Sequence, residues 1–126
     1  MSKKTIAVLG ASTDRGKYGN KCVRAYLHAG WDVYPVNAWS DTIEGLQVYK
    51  KLADVPVDLD RVSVYLPPPV TLEMIPEMAA KGAGEVWLNP GAGDQRVVDA
   101  ARAAGLTTVS ACSIVAIGLS PSQFPG

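Results

Sequence analysis

The sequence predicts an α/β protein with a doubly wound parallel sheet of about five strands in a three-layer α/β/α arrangement. Three observations carry this. Short apolar runs alternate with amphipathic segments along most of the 126 residues. The first run, Ile6-Ala7-Val8-Leu9, is continuous rather than alternating, the pattern of a strand covered on both faces. The runs end at small, polar or proline residues: Gly10, Asn37, Pro67, Asn89 and Ser110.

Taken in order, residues 6–9 form the first strand. Residues 17–29 form a helix, with Cys22, Val23, Tyr26 and Leu27 at helical spacing and Gly30 as its stop. Residues 32–36 form the second strand. Residues 42–48 hold a turn at Glu44-Gly45 and a possible short strand, and residues 49–55 are expected to form a short helix ahead of Pro56. Residues 61–66, rich in Val, form the third strand. Residues 72–81 form a helix capped by Gly82, in which Pro76 is expected near the first turn, because a later proline removes a backbone bond. The fourth strand covers 84–88, the next helix 94–104 with Gly105 behind it, and the fifth strand 107–110. Residues 114–117 fit either state. Strands separated by helices imply right-handed βαβ units, hence a Rossmann-like domain spanning residues 1–126.

Composition narrows the function. Twelve basic and twelve acidic residues cancel, which argues against a nucleic-acid binder. No apolar stretch is long enough for a membrane span, and the run before Gly10 is too short for a signal peptide. Cys22 and Cys112 lack metal-ligand spacing and are expected as reduced thiols in the cytoplasm. A single histidine, His28, makes a zinc site improbable, and no metal ligands are expected.

The functional centre is expected just outside the carboxyl ends of the strands, at the switch point beside the first strand. There Gly10-Ala11-Ser12 joins a buried strand to a helix start. Backbone N–H groups and the positive end of the helix dipole suit a phosphate. Arg15, Lys17 and Tyr18 add two cations and an aromatic ring. The dinucleotide fingerprint fails, however. It needs Gly at 10, 12 and 15, where the chain has Gly10, Ser12 and Arg15, and the second strand ends in Asn37 rather than an acid.

In this order and spacing, Ile6-Ala7-Val8-Leu9-Gly10-Ala11-Ser12, Val33-Tyr34-Pro35-Val36-Asn37, Leu66-Pro67-Pro68 and Val86-Trp87-Leu88-Asn89-Pro90-Gly91 resemble the CoA-binding domain family. That family includes the N-terminal part of the succinyl-CoA synthetase α subunit, and the resemblance runs from Thr5 to about Cys112. It implies coenzyme A or an acyl-CoA as ligand, with Gly10, Ala11 and Ser12 on the pyrophosphate. It further implies Pro35, Val36 and Asn37 beside the adenosine, and Pro67 and Pro68 as an apolar wall. Family members often carry Pro and a basic residue after Val-Asn. Here Ala38-Trp39-Ser40-Asp41 stands instead, so Trp39 is expected to stack on the base and Arg15 or Lys17 to meet the 3′-phosphate. The synthetase is expected to depend on a phosphorylated histidine in a second domain, and no counterpart of that domain is expected within residues 1–126.

Asn89 and Cys112 follow the fourth and fifth strands and complete the expected ligand edge; Cys112 is either a small hydrophobe or a partner for the CoA thiol. His28 is expected as a helix C-terminal residue rather than a catalytic group. The expectation is therefore a non-catalytic CoA-binding module, a carrier, sensor or regulator. An enzyme or subunit using NAD(P) or another adenine nucleotide with a partner chain is the alternative. Trp39 or the C-terminal Pro-Ser-Gln-Phe-Pro-Gly could support a homodimer.

Overall fold

A computed structural model describes residues 3–126. The chain runs through β1 (Thr5–Leu9), α1 (Tyr18–His28), β2 (Asp32–Val36), a hairpin of β3 (Thr42–Ile43) and β4 (Leu46–Gln47), β5 (Arg61–Val64), α2 (Pro68–Lys81), β6 (Glu85–Leu88), α3 (Gln95–Ala103) and β7 (Thr108–Val109). Five strands pair in parallel in the order β2-β1-β5-β6-β7. From β1 the chain moves one way to β2 and then returns across β1 to β5, so the switch point lies between β1 and β5.

Register fixes where the loops leave. Leu9 sits opposite Val36 and Val64, and Val64 opposite Leu88. Four strands thus end at one level, and the loops beginning at Gly10, Asn37, Tyr65 and Asn89 emerge together.

Alternate residues of the strands build two cores. On one face Ile6, Val8 and Val33 meet Cys22, Val23, Ala25 and Tyr26 of α1, together with Ile43, Val48 and Ile114. On the other, Ala7, Leu9, Val62, Val64, Val86 and Leu88 meet Ile75 and Met78 of α2 and Val97 and Ala101 of α3. This is the three-layer arrangement expected from the sequence.

Several elements differ from expectation. The segment 49–55 is not a helix. Tyr49 pairs with the free edge of β2, donating its N–H to the Pro35 carbonyl at 3.0 Å and accepting from Asn37 N–H at 3.0 Å. Only Leu52–Asp54 makes a 3-10 turn. Pro35 fits within β2 because its nitrogen side faces this edge, where no bond to β1 is lost. The Glu44-Gly45 turn is the tip of the hairpin, with positive φ at both residues.

α2 begins at Pro68 rather than Leu72, with Pro67 as its N-cap. Prolines suit the first turn because the N–H groups they lack have no partner there. Pro76 consequently lies well inside α2, on its exposed side, where the freed Leu72 carbonyl can meet water. The fifth strand shortens to Thr108–Val109, and residues 115–117 form a 3-10 turn behind the buried Ile114.

Candidate functional site

Gly10 turns the chain out of β1 with φ +83°, and a Cβ there would lie 2.8 Å from the Tyr65 carbonyl oxygen. Gly19, in the first turn of α1, is tighter still: a Cβ would overlap the Gly10 carbonyl. The two glycines let the start of α1 dock directly on the β1 turn. The N–H groups of Tyr18 and Gly19, which the helix itself cannot bond, then open beside Gly10. The fingerprint therefore fails in spacing but keeps one physical function, the close approach of helix and strand.

The loop between them is held from several sides. Ser12 Oγ accepts from the Asp14 N–H at 3.0 Å, and Asp14 Oδ1 from the Gly16 N–H at 2.9 Å. Asn20, fully buried, donates to the Ser12 carbonyl at 2.9 Å and to Glu44 Oε2 at 3.2 Å. Arg15 lies 3.5 Å from the same carboxylate, so its guanidinium reaches toward the hairpin. Arg24 donates to Asn20 Oδ1, to the Arg15 carbonyl and to the carbonyls of Phe124 and Pro125. It ties the loop to the C-terminal segment across α1.

On the β2 side, Asn37 donates to the Ala11 carbonyl at 2.7 Å and accepts from the Trp39 and Ser40 N–H groups. Its amide thus staples two loops together. Trp39 projects from this staple and is 91% exposed. Lys50 reaches back to the Ser40 carbonyl at 2.7 Å and to Asp41 at 3.3 Å.

On the β5 and β6 side, Pro68 and Pro69 leave the start of α2 poor in N–H donors. Of the two helices that begin at the switch point, only α1 offers a full amide cradle. Behind this edge lies a buried polar network. Ser63 and Ser113 hydroxyls are 2.7 Å apart, Asn89 donates to Ser63 Oγ and to the Val64 carbonyl, and Asn89 Oδ1 accepts from the Ser113 N–H. Tyr26 donates to the Ser113 carbonyl at 2.7 Å. Burial pushes the Cys22 thiol up, with Ser63 and Ser113 hydroxyls about it opposing the shift; burial likewise raises the Tyr65 phenol.

Three cavities line this edge and share walls. The first, about 750 Å³, is bounded by Leu9, Gly10, Val36, Leu66, Val70 and Met74 as apolar floor, with Asn37, Trp39, Lys50, Lys51 and Glu77 at its margin. The second, about 400 Å³, shares Gly10 and Leu66 with it and adds Lys17, Tyr18, Pro67, Pro68 and Pro90. The third, about 320 Å³, shares Tyr18, Tyr65 and Pro90 with the second and ends at Asn89, Cys112 and Pro121. Together they make one groove across the switch point.

The groove gathers Gly10, Lys17, Tyr18, Val36, Asn37, Trp39, Pro67, Pro68, Asn89 and Cys112. Ala11 is buried beneath the turn and Ser12 caps it. Pro35 is buried in β2 and lies behind the groove rather than on it. Sequence reasoning did not single out Asn20, Arg24, Tyr65, Lys50 or Lys51. Lys50 and Lys51 fall in the segment expected as a helix, and only its pairing with the β2 edge brings them to the groove. His28 sits at the last turn of α1, about 16 Å of helix away from the cradle, beside Phe124. Among the described residues no helix is long and apolar enough to cross a membrane.

A family model described as a CoA binding domain matches residues 4–118. The chain is 36% identical over 87 residues to a trans-feruloyl-CoA synthase from an unknown prokaryotic organism, a match covering 66% of this chain and 12% of that protein. It is 32% identical over 89 residues to an ADP-forming acetate–CoA ligase of Methanocaldococcus jannaschii, covering 70% of this chain and 13% of that one. The chain therefore spans about an eighth of the length of these curated relatives. Among solved structures, a conserved hypothetical protein from Pyrococcus furiosus superposes with a TM-score of 0.83 at 34% identity, covering 90% of this chain and 98% of that one.

Proposed function

Because the chain belongs to the CoA-binding domain family, we propose that its groove holds coenzyme A or an acyl-CoA, as a non-catalytic carrier, sensor or regulatory module in the cytoplasm. The observation that carries this reading is the order of surfaces along the groove. An apolar slot rimmed by Trp39 leads to the amide cradle of Gly10 and α1, and then to a proline-walled channel ending at Cys112. A purine, a pyrophosphate and an uncharged amide arm need those surfaces in that order.

The residues then divide as follows. Val36, Asn37 and Trp39 flank the adenosine, with Pro35 supporting them from β2. Gly10, Ala11 and Ser12, with the first amides of α1, face the pyrophosphate, and Lys17 supplies countercharge, since Arg15 is turned to Glu44. Tyr18, Pro67 and Pro68 wall the arm, and Asn89 and Cys112 stand at its thiol end. The side chains of Asn37 and Asn89 act chiefly by holding the loops, since their amides are already engaged. His28, at the far end of α1, is out of reach of a ligand held in the cradle.

Calorimetric titration of the protein with CoA, NAD and ATP tests the reading. CoA is expected to bind well above the other two. Equal affinities, or no heat with CoA, would overturn it.

A further inference from the structure

The adenosine end of the groove carries a charge that the pyrophosphate does not use. Lys50 and Lys51 both line the large cavity, on the segment between the hairpin and the 3-10 turn at Leu52–Asp54. The two lysines are placed differently. Lys50 is engaged by the Ser40 carbonyl and Asp41, where it braces the loop bearing Trp39. The Lys51 carbonyl accepts from the Asp54 N–H at 3.1 Å, while its ammonium has no hydrogen bond or ion pair among the described residues and is exposed. The one carboxylate on the cavity wall, Glu77, accepts from the Ala53 N–H at 3.1 Å and so is held on the backbone beside Lys51. Arg15 points to Glu44, away from this cavity, and Lys17 lines the next one along.

We infer that Lys51 reads a phosphate monoester on the ribose of the bound nucleotide, so that this chain selects CoA over dephospho-CoA. The inference rests on the CoA reading above. Its physical basis is that a monoester near neutral pH carries close to two charges and three acceptor oxygens. A flexible ammonium that makes no ion pair, with the nearby Glu77 carboxylate engaged by the Ala53 N–H, meets such a group at little cost to the fold. The loop after β2 presents Trp39 and Ser40 rather than a cation, and the charge on this cavity comes from the strap that pairs with the β2 edge. Lys50 contributes by position, holding the Trp39 loop, and secondarily by charge.

The test is a cycle of ligand against side chain. CoA and dephospho-CoA are titrated calorimetrically into the wild-type protein and into Lys51→Gln, which keeps most of the stem and removes the charge. Thermal unfolding of both proteins checks that the fold is retained. The wild type is expected to bind CoA about tenfold tighter than dephospho-CoA. Lys51→Gln should erase that gap by weakening CoA alone, and Lys51→Arg should restore it. If the wild type binds both ligands equally, or if Lys51→Gln weakens both alike, this assignment is wrong while the CoA reading stands. If neither ligand binds the wild type, the CoA reading falls and this assignment with it.

Discussion

Trp39 is the most exposed large apolar side chain among the described residues, yet its backbone is fixed by the Asn37 side chain. A rigid mount for an open ring suits stacking on a planar base, which by truncation is worth about 1–3 kcal/mol. Trp39→Ala should therefore weaken CoA and dephospho-CoA by the same factor, about tenfold, with little change in melting temperature. Titration of both ligands checks this, and a loss confined to one of them would assign the ring elsewhere. The aromatic residue was visible in the sequence, because it interrupts a motif at a position where a charge is expected. Lys51 was not, because its importance depends on which edge the strand of Tyr49 joins.

At the scale of elements, α3 shows how a cap is written. Asp94 accepts from the Val97 N–H at 3.2 Å, and that bond, with Arg96 beside it, holds its carboxyl below the ordinary range. A carboxylate with a depressed folded pKa contributes stability that is present above its unfolded value and lost as pH falls through the folded one. Asp94→Ala should thus lower the melting temperature by a few degrees at pH 7. The gap between variant and wild type should shrink toward acidic pH, which thermal scans at several pH values would show. The start of α3 was readable from Asp94 alone. The start of α2 was not, because three consecutive prolines fit a turn as well as a first helical turn. What decides between them is whether the following residues can bury Thr71, Ile75 and Met78 on one face, a tertiary matter.

For the whole molecule, the alkaline limit of stability lies in the layer between α1 and the sheet. Cys22, Tyr26 and Tyr65 all have pKa values raised by burial. An acid whose folded pKa is raised favours the folded state only while it stays protonated in both states. Stability is lost as pH rises from the unfolded value toward the folded one. Unfolding free energy should therefore decline above about pH 9, where the thiol begins to ionise in the unfolded chain. Cys22→Ala should flatten part of that decline, even though it leaves a small void at neutral pH. Denaturant titrations from neutral to alkaline pH would measure both slopes. That Cys22 belongs to the core was legible from helical spacing. Its polar surroundings were not, because Ser63, Asn89 and Ser113 come from three distant segments that only the sheet order brings together.

The strap from Ala38 to Ala53 lies outside the five-stranded sheet, yet it carries Trp39, Lys50 and Lys51 and closes the β2 edge through Tyr49. Its outward side chains can be exchanged without opening either core, whereas the amide cradle cannot change without moving α1 against β1. The two halves of the groove are therefore under unequal mutational constraint. New ligand preferences are open to selection at the nucleoside end, while the phosphate end is locked to the architecture.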